Sequence, residues 1–192
     1  MSNTKNFKIL RNRTPKTLKG NHFRPAAVLV PIQRRTDGDY LVLTQRAETL
    51  QHHSGQVAFP GGQVDATDSG PLETALRESQ EEIGINPEDV CILGQLDQVD
   101  AAYNFLVTPF VGLIPFPYRY RLNLRETSAV FSVPVSALLD LNAVSVDTRL
   151  FAKRGLLYRF EYQDWEIWGA TARILEQLLR LVYGFRAHEG LS

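Results

Sequence analysis

The sequence predicts one domain with an α/β layered fold around a mixed β-sheet. Its 192 residues suit a single domain, because domains of about 100–200 residues are typical. Short apolar segments rich in β-branched residues outnumber the helical patterns, and the helices are interspersed among the strands. No internal repeat or composition break divides the chain. We therefore expect helices packed on a single sheet.

Composition narrows the classes of protein to which the chain can belong. Its formal net charge is zero, with 22% charged and 44% hydrophobic residues, which is typical of a soluble globular protein rather than a nucleic-acid binder. No apolar run is long enough for a membrane helix, and no signal peptide is visible. The single cysteine, Cys91, lies in an apolar run, so we expect a buried thiol in a reducing compartment. We expect a cytoplasmic protein without nucleic-acid or membrane partners, and a homodimer stays open.

Positive charge is concentrated at the N-terminus. Residues 1–24 contain seven lysine and arginine side chains and no acidic one. We interpret them as a basic, solvated extension that precedes the folded domain at 25–192. Such an arm can also grip phosphates or a partner, and this alternative stays open.

The first half of the chain predicts a hairpin, a long loop and a helix. Residues 26–32 and 40–44 are apolar strands that flank an Asp-Gly turn. Residues 45–70 are rich in Gly, His, Gln and Asp, and long ordered loops of this kind are usually functional. A helix over 71–83 follows, with Ser69 as its N-cap candidate, Pro71 in its first turn and Gly84 at its end.

The second half predicts further strands and a final helix. The predicted strands are 90–98, 105–115, 127–133, 145–151 and 156–162. A short helix over 136–141 follows the third of these, and apolar residues at helical spacing predict the last helix over 169–184.

The helix over 71–83 has two distinct faces. At about 100° per residue, an apolar stripe faces the core, and it comprises Leu72, Ala75, Leu76, Ser79 and Ile83. Glu78, Glu81 and Glu82 share another face, which we expect to be turned to solvent. Converging carboxylates repel one another, and Mg²⁺ or Mn²⁺ would offset that repulsion because such ions prefer oxygen ligands. The alternative is an ordinary solvated acidic face.

The residues around this helix favour the metal-site interpretation. A Gly61-Gly62 pair ahead of the helix lets the backbone approach a ligand closely. Arg77 lies beside the acidic face, where it can brace a carboxylate or the loop. A glycine turn followed by three carboxylates and an arginine is typical of a metal–phosphate site.

The pattern resembles the signature of the Nudix hydrolase family. That signature is Gly, five residues, Glu, seven residues, Arg-Glu, an aliphatic residue, any residue, Glu-Glu, any residue, Gly and an aliphatic residue. The matching positions are Gly62, Arg77-Glu78, Glu81-Glu82 and Gly84-Ile85. The sequence departs in three ways: Asp68 replaces the first Glu, the next spacer has eight residues, and Ser79 replaces the aliphatic residue.

The resemblance implies a fold and a set of site residues. The fold is the Nudix fold, an α/β/α sandwich around a mixed β-sheet. Glu78, Glu81 and Glu82 would bind Mg²⁺ or Mn²⁺ together with the carbonyl of Gly62. The general base would be a glutamate of the signature or a downstream one, for which Glu126 is the candidate; otherwise Glu126 is an exposed loop acid.

The predicted loop resembles a second motif, found in coenzyme A-cleaving Nudix enzymes. That motif reads Leu-Thr-x-Arg-Ser/Ala, three residues, Arg, three residues, Gly, three residues, Phe-Pro-Gly-Gly. It matches residues 43–62, except that Gln51 replaces the second Arg. Arg46 and His53 would hold the phosphates of coenzyme A, because a guanidinium pairs well with phosphate oxygens. Bracing of the loop by Arg46 and packing by His53 are the alternatives.

The resemblance implies a metal-dependent pyrophosphohydrolase that converts coenzyme A, acyl-coenzyme A or its oxidised form to 3′,5′-ADP and 4′-phosphopantetheine. Gln51 keeps a second hypothesis open, in which the substrate is ADP-ribose, NADH or another nucleoside diphosphate derivative. A third is a Nudix-fold binding module without turnover, but such modules usually lose the carboxylates that this chain retains.

Overall fold

The computed structural model describes residues 4–20, 22–48, 55–146 and 158–186. Its helices in these ranges are α1 (Thr4–Asn12), α2 (Pro71–Ile83), α3 (Val135–Leu138) and α4 (Gly169–Tyr183). Its strands there are β1 (Arg24–Arg35), β2 (Gly38–Arg46), β3 (Val57–Ala58), β4 (Gly61–Gln63), β5 (Cys91–Gln95), β6 (Val99–Asp100), β7 (Phe105–Ile114), β8 (Thr127–Pro134), β9 (Val144–Val146), β10 (Tyr158–Tyr162) and β11 (Trp165–Ile167). None of the helices in these ranges has the length and apolar character needed to cross a bilayer.

The main sheet is mixed, as predicted. Over the part of the chain that the structure describes, it has eight strands with the path β3-β2-β1-β7-β5, and β4, β6 and β8 pair with β1, β7 and β2. Strands β1 and β7 run parallel over ten paired positions, from Arg24 opposite Phe105 to Gln33 opposite Ile114. The other pairs are antiparallel. Strands β9, β10 and β11 form a separate antiparallel sheet.

Strand β1 shows how helices come to cover both faces of the sheet. Successive side chains of a strand point to opposite faces. Ala27 and Leu29 belong to the apolar cluster under α2, while Val30 and Ile32 belong to the larger cluster under α1 and α4. All four are fully buried. The result is an α/β/α sandwich, which confirms the predicted fold class.

Several local predictions are confirmed and others are wrong. The hairpin forms, with β1 and β2 joined through Thr36 and Asp37. Helix α2 has the predicted bounds, and Gly84 ends it with a left-handed φ of 74°. Its N-cap is Gly70 rather than Ser69, because the Ser69 N–H donates to the Glu73 carboxylate instead of its side chain capping the helix. Within the predicted loop over 45–70, residues 57–58 and 61–63 form short strands β3 and β4.

The N-terminal segment is not a solvated arm. Phe7 and Leu10 of α1 are 4% and 2% exposed in the cluster that also contains α4. The backbone carbonyl of Leu10 lies so close to Gly94 that a Cβ there would be 2.5 Å from it. Arg13 pairs with Asp97 beyond the end of the helix. The basic residues therefore lie on a docked segment whose apolar side is covered.

Cys91 is exposed, contrary to prediction. It is the first residue of β5, which lies at one end of the strand path. Its neighbours Val90 and Ile92 pack against the core under α2, and Leu93, at a register irregularity of β5, is buried, but the side chain of Cys91 is left exposed. Of the predicted strand over 145–151, only the part up to 146 lies within the described residues.

Candidate metal centre

The glycine pair places a backbone segment directly against the helix that carries the carboxylates. Gly61 and Gly62 of β4 pair with Val28 and Ala27 of β1. A Cβ on Gly61 would lie 2.2 Å from the Ala27 carbonyl oxygen, and a Cβ on Gly62 would lie 2.4 Å from the carboxyl carbon of Glu78. Any side chain at either position would displace the strand or the carboxylate. Only glycine fits at Gly61, where the clash is with backbone, whereas a side chain at Gly62 would push the Glu78 carboxylate out of place.

Three carboxylates converge beside this strand. Ligand oxygens of Glu78, Glu82 and Glu126 all lie within 4.8 Å of one another. Glu78 and Glu82 are one turn apart on α2, whereas Glu126 is the residue immediately before β8. Glu81, a further predicted metal ligand, is not among these three. Its side chain is 55% exposed and pairs with Arg77 at 3.2 Å.

The pairing of β2 with β8 brings Glu126 to the cluster. Arg46 at the end of β2 is opposite Thr127 at the start of β8. The N–H of Ala47 donates to the Glu126 carbonyl at 2.8 Å. Glu126 and Arg46 therefore arrive at the same edge of the sheet on neighbouring strands. Glu126 therefore lies beside the carboxylates of α2 and is partly buried, so it is not an exposed loop acid.

Arg46 is the cation nearest to the buried carboxylate of the cluster among the described residues. Its Nη1 lies 3.8 Å from Glu82 Oε1. Its Nε is buried and has no hydrogen-bond partner within the described part of the chain. The guanidinium is thus close enough to attract the carboxylate, and the side chain is still 31% exposed. His53 and Gln51 lie outside the described residues.

Glu82 is buried, although its face was expected to be turned to solvent. The residue is 5% exposed, and the N–H of Gly61 donates to its Oε2 at 3.3 Å. Burial raises the pKa of Glu82 to about 8, opposed by the charge of Arg46 and the Gly61 N–H, while Glu78 and Glu126 raise it further. Burial also raises the pKa of Glu78, against the lowering effect of Arg77. These carboxyl groups lack the positive charge that would stabilise both as anions.

That deficit fits a hard divalent cation. Such a cation binds carboxylate oxygens, backbone carbonyls and water, and usually takes only a few protein carboxylates in a phosphate-processing site. The cluster offers three carboxylates, with the Gly61-Gly62 backbone in contact with two of them, Glu78 and Glu82. The donor set is composed of oxygen atoms alone, which suits Mg²⁺ or Mn²⁺ rather than a metal that selects thiolate or imidazole.

Arg77 braces the other side of the acidic helix. Its Nε and Nη2 donate to both oxygens of Asp68 at 2.9 and 3.0 Å, and its Nη1 donates to Glu78 at 2.8 Å. Asp68 also accepts a hydrogen bond from Thr74 at 2.7 Å. These contacts lower the pKa of Asp68, with the Arg77 hydrogen bonds as the largest cause. The predicted bracing role of Arg77 is confirmed, and Asp68 is its partner.

Fold and site together define an α/β/α protein with an oxygen-lined centre suited to a divalent cation. A family model described as the NUDIX domain matches residues 22–153. The Nudix hydrolase NudL of Cronobacter sakazakii, named as uncharacterized, is 42% identical over 173 residues, which cover 90% of this chain and 88% of that protein. NudL of Salmonella dublin is 43% identical over 174 residues with the same coverage. The chain therefore belongs to the Nudix hydrolase family, whose members are enzymes acting on nucleoside diphosphate anhydrides and generally use divalent metal ions.

Solved structures agree with this assignment at the level of the fold. A MutT/nudix family protein from Enterococcus faecalis superposes with a TM-score of 0.55 at 15% identity, covering 90% of this chain and 66% of that chain. The Nudix hydrolase RenU from M. smegmatis gives a TM-score of 0.52 at 22% identity, with 64% and 76% coverage. At such identities the likeness concerns the fold alone.

Proposed function

We propose that this Nudix hydrolase cleaves the pyrophosphate bond of coenzyme A, and of its acyl or oxidised forms, in the cytoplasm. The products would be 3′,5′-ADP and 4′-phosphopantetheine. The observation that carries the proposal is the convergence of Glu78, Glu82 and Glu126 within 4.8 Å, with Arg46 3.8 Å from Glu82. The resemblance of residues 43–62 to the motif of coenzyme A-cleaving enzymes supports the choice of substrate.

Each residue of the centre has a proposed role. Glu78 and Glu82 would hold Mg²⁺ or Mn²⁺, with Gly62 supplying a backbone carbonyl, and the ligand role of Glu81 stays a prediction. A cation held there would lower the pKa of a water molecule and offset charge on the pyrophosphate oxygens. Arg77 would keep Glu78 in place through the contacts that it makes with that carboxylate and with Asp68.

The reaction is a substitution at phosphorus. The oxygen of water forms a bond to one phosphorus atom of the pyrophosphate, and the bond from that phosphorus to the bridging oxygen breaks. The bridging oxygen leaves with the other phosphate, and a proton of the water passes to a carboxylate, for which Glu126 is our candidate. Arg46 would bind the phosphate oxygens through its guanidinium, since its side chain is 31% exposed, and so orient the substrate.

A nucleoside diphosphate derivative such as ADP-ribose or NADH is the second candidate substrate. Gln51 favours it, because a neutral amide replaces the second arginine of the coenzyme A motif. A binding module without turnover is the third candidate. Retention of Glu78, Glu81 and Glu82 argues against it.

A substrate panel with product identification tests the proposal. The panel comprises coenzyme A, dephospho-coenzyme A, ADP-ribose and NADH, each with Mg²⁺, with Mn²⁺ and with a chelator. We expect negligible turnover in chelator, recovery with either cation, and the highest kcat/KM on coenzyme A. Full activity in chelator would exclude the metal mechanism, and preference for ADP-ribose would replace the coenzyme A assignment by the second candidate.

The Arg46→Ala variant tests how the substrate is recognised. Loss of a hydrogen bond to a charged group is worth roughly 1.5–3 kcal/mol, or about 10- to 150-fold in kcat/KM. We expect that loss on coenzyme A and a smaller one on ADP-ribose if Arg46 contacts the 3′-phosphate. The companion variant Gln51→Arg should raise the preference for coenzyme A over dephospho-coenzyme A. Unchanged ratios in both variants would contradict this assignment.

A further inference from the structure

Asn123 connects the two elements that supply the carboxylates. Its N–H donates to the Glu82 carbonyl at 2.9 Å, and its own carbonyl accepts from the N–H groups of Glu126 and Thr127 at 2.9 and 2.8 Å. Its side-chain Oδ1 accepts from the N–H of Arg125 at 3.2 Å, and its Nδ2 donates to Glu126 Oε1 at 3.2 Å. One residue thus contacts the backbone of α2, the turn before β8 and a carboxylate of the cluster.

The backbone contacts hold the turn on the end of α2. The last four carbonyls of a helix have no partner inside the helix. Here the Glu82 carbonyl is bound by Asn123 and the Ile83 carbonyl by the N–H of Arg121, at 2.9 Å in both cases. The segment over 121–123 is therefore fixed against the residue that bears the buried carboxylate, and Glu126 follows after a single turn.

The side chain of Asn123 has one orientation that satisfies its neighbours. Its oxygen must face the N–H of Arg125, because only the oxygen of an amide accepts a hydrogen bond. The NH₂ group is then turned toward Glu126 and donates to its carboxylate. That contact restrains the Glu126 carboxylate beside Glu78 and Glu82, whose ligand oxygens lie within 4.8 Å of its own.

We propose that Asn123 is a positioning residue that holds the carboxylate of Glu126 toward Glu82 for cation binding and for the chemical step. This inference rests on the proposed role of Glu126 as proton acceptor. It adds a share in cation binding, because a Glu126 oxygen lies within 4.8 Å of those of Glu78 and Glu82, and it names the residue that ties Glu126 to the end of α2. Asn123 would act through Glu126 and not on the substrate. Its removal should therefore lower kcat and the affinity for Mn²⁺ while leaving KM for coenzyme A nearly unchanged.

The Asn123→Ser substitution separates the two hydrogen bonds of the side chain, one to the N–H of Arg125 and one to the carboxylate of Glu126. The Ser hydroxyl can still accept from the backbone N–H two residues on, as it does in turns, but it is too short to reach Glu126. Asn86 provides a matched control, because its Oδ1 accepts from the N–H of Glu88 at the same 3.2 Å and the structure gives it no contact with the carboxylate cluster. The experiment compares Asn123→Ser, Asn86→Ser and Glu126→Gln with the wild-type full chain.

Mn²⁺ affinity without substrate, kcat, KM and thermal unfolding are measured for each variant. Loss of a residue that orients a metal ligand typically costs about 10- to 100-fold in metal affinity or activity. We expect Asn123→Ser to lose that much in kcat and in Mn²⁺ affinity, and to unfold within a degree or two of Asn86→Ser, which keeps wild-type values of both. Glu126→Gln should lose a similar amount of Mn²⁺ affinity and about 100-fold or more in kcat, because it removes the group that Asn123 only positions.

Two results would overturn the inference, and they are distinguishable. If Glu126→Gln is impaired but Asn123→Ser matches the wild type, Glu126 keeps its role and Asn123 does not position it. If Glu126→Gln itself has wild-type kcat and Mn²⁺ affinity, the proposed role of Glu126 is wrong and the inference falls with it.

Discussion

At the scale of a single residue, Glu82 is a carboxyl group whose ionisation is disfavoured by its burial in the site. Its side chain is 6% exposed, and Arg46, at 3.8 Å, is its ion-pair partner. Burial disfavours the charged form, which raises its pKa to about 8 from 4.5 despite Arg46 and the N–H of Gly61. A bound cation would reverse that preference by favouring the anion. Stability without metal should therefore depend on the protonation of this one group.

The Glu82→Gln variant should lack this dependence of stability on protonation, so comparison with the wild type should reveal it. A carboxyl group whose pKa is raised on folding contributes stability that is fully present below its unfolded pKa and lost as pH rises through its folded pKa. In chelator, the free energy of unfolding of the wild type relative to Glu82→Gln should therefore fall from about pH 4.5 to beyond pH 8. Glu81→Gln is the control, since its side chain is 55% exposed. Parallel pH profiles for wild type and Glu82→Gln would contradict the prediction.

Glu126→Gln tests the assignment of the general base. A positioned base typically contributes at least about 100-fold, so we expect kcat at saturating Mn²⁺ to fall by that factor or more. Glu88→Gln provides the comparison, because Glu88 is an exposed carboxylate outside the cluster of Glu78, Glu82 and Glu126. A rate within a few-fold of wild type for Glu126→Gln would move the role of base to a glutamate of α2.

At the scale of the element, α2 is held at its first turn by the loop that precedes it. Arg77 reaches back across two turns to Asp68, and the same guanidinium contacts Glu78. The Asp68 carboxylate stands where the Nudix signature has glutamate, and here it serves as the acceptor that fixes Arg77. The orientation of the Glu78 carboxylate thus depends on Asp68, because Asp68 fixes the arginine that contacts Glu78.

Asp68→Asn should weaken both the helix and the metal centre. The variant keeps the shape of the side chain but removes the charge that both Nε and Nη2 of Arg77 contact. Because the native pKa of Asp68 is lowered, its contribution is present above the unfolded pKa and lost as pH falls. We expect a lower unfolding temperature than wild type at pH 7, a difference that begins to shrink as pH falls below about 4, and weaker Mn²⁺ binding. Glu88→Gln, an exposed carboxylate beyond the end of α2, should change neither.

The element scale also shows how far the sequence determines the structure. Helix α2 and the β1–β2 hairpin were predictable because local signals mark their ends, Pro71 and Gly84 for the helix and Asp37-Gly38 for the hairpin. The burial of Glu82 was not, since it depends on Gly61 and Arg46, which come from other strands. Glu126 was predictable as a candidate only by resemblance, because its place in the cluster comes from the pairing of β2 with β8.

At the scale of the whole molecule, the docking of α1 was missed because charge dominates its sequence. Phe7 and Leu10 are three positions apart on one side of a short basic helix, a spacing that places them on the same face. Phe7 meets the Tyr183 ring edge-on at 6.1 Å, and the guanidinium of Arg34 lies 5.4 Å from its centroid. The face of the sheet that α1 helps to cover is opposite α2, so its contribution should be to stability rather than to the reaction.

Phe7→Ala tests whether α1 belongs to the cooperative core. Replacing a buried Phe by Ala typically costs 3–5 kcal/mol, and a terminal helix can fray instead of leaving a cavity, so we expect about 3 kcal/mol in the free energy of unfolding. Ile9→Ala is the matched control on the same helix, because Ile9 is 44% exposed and surface changes usually stay within about 0.5 kcal/mol. Well below the unfolding transition, kcat should be unchanged in both variants, since α1 and α2 pack on opposite faces of the sheet. Equal unfolding free energies for the two variants would mean that α1 folds independently of the domain, whereas a fall in kcat with Phe7→Ala alone would mean that the two faces of the sheet are coupled.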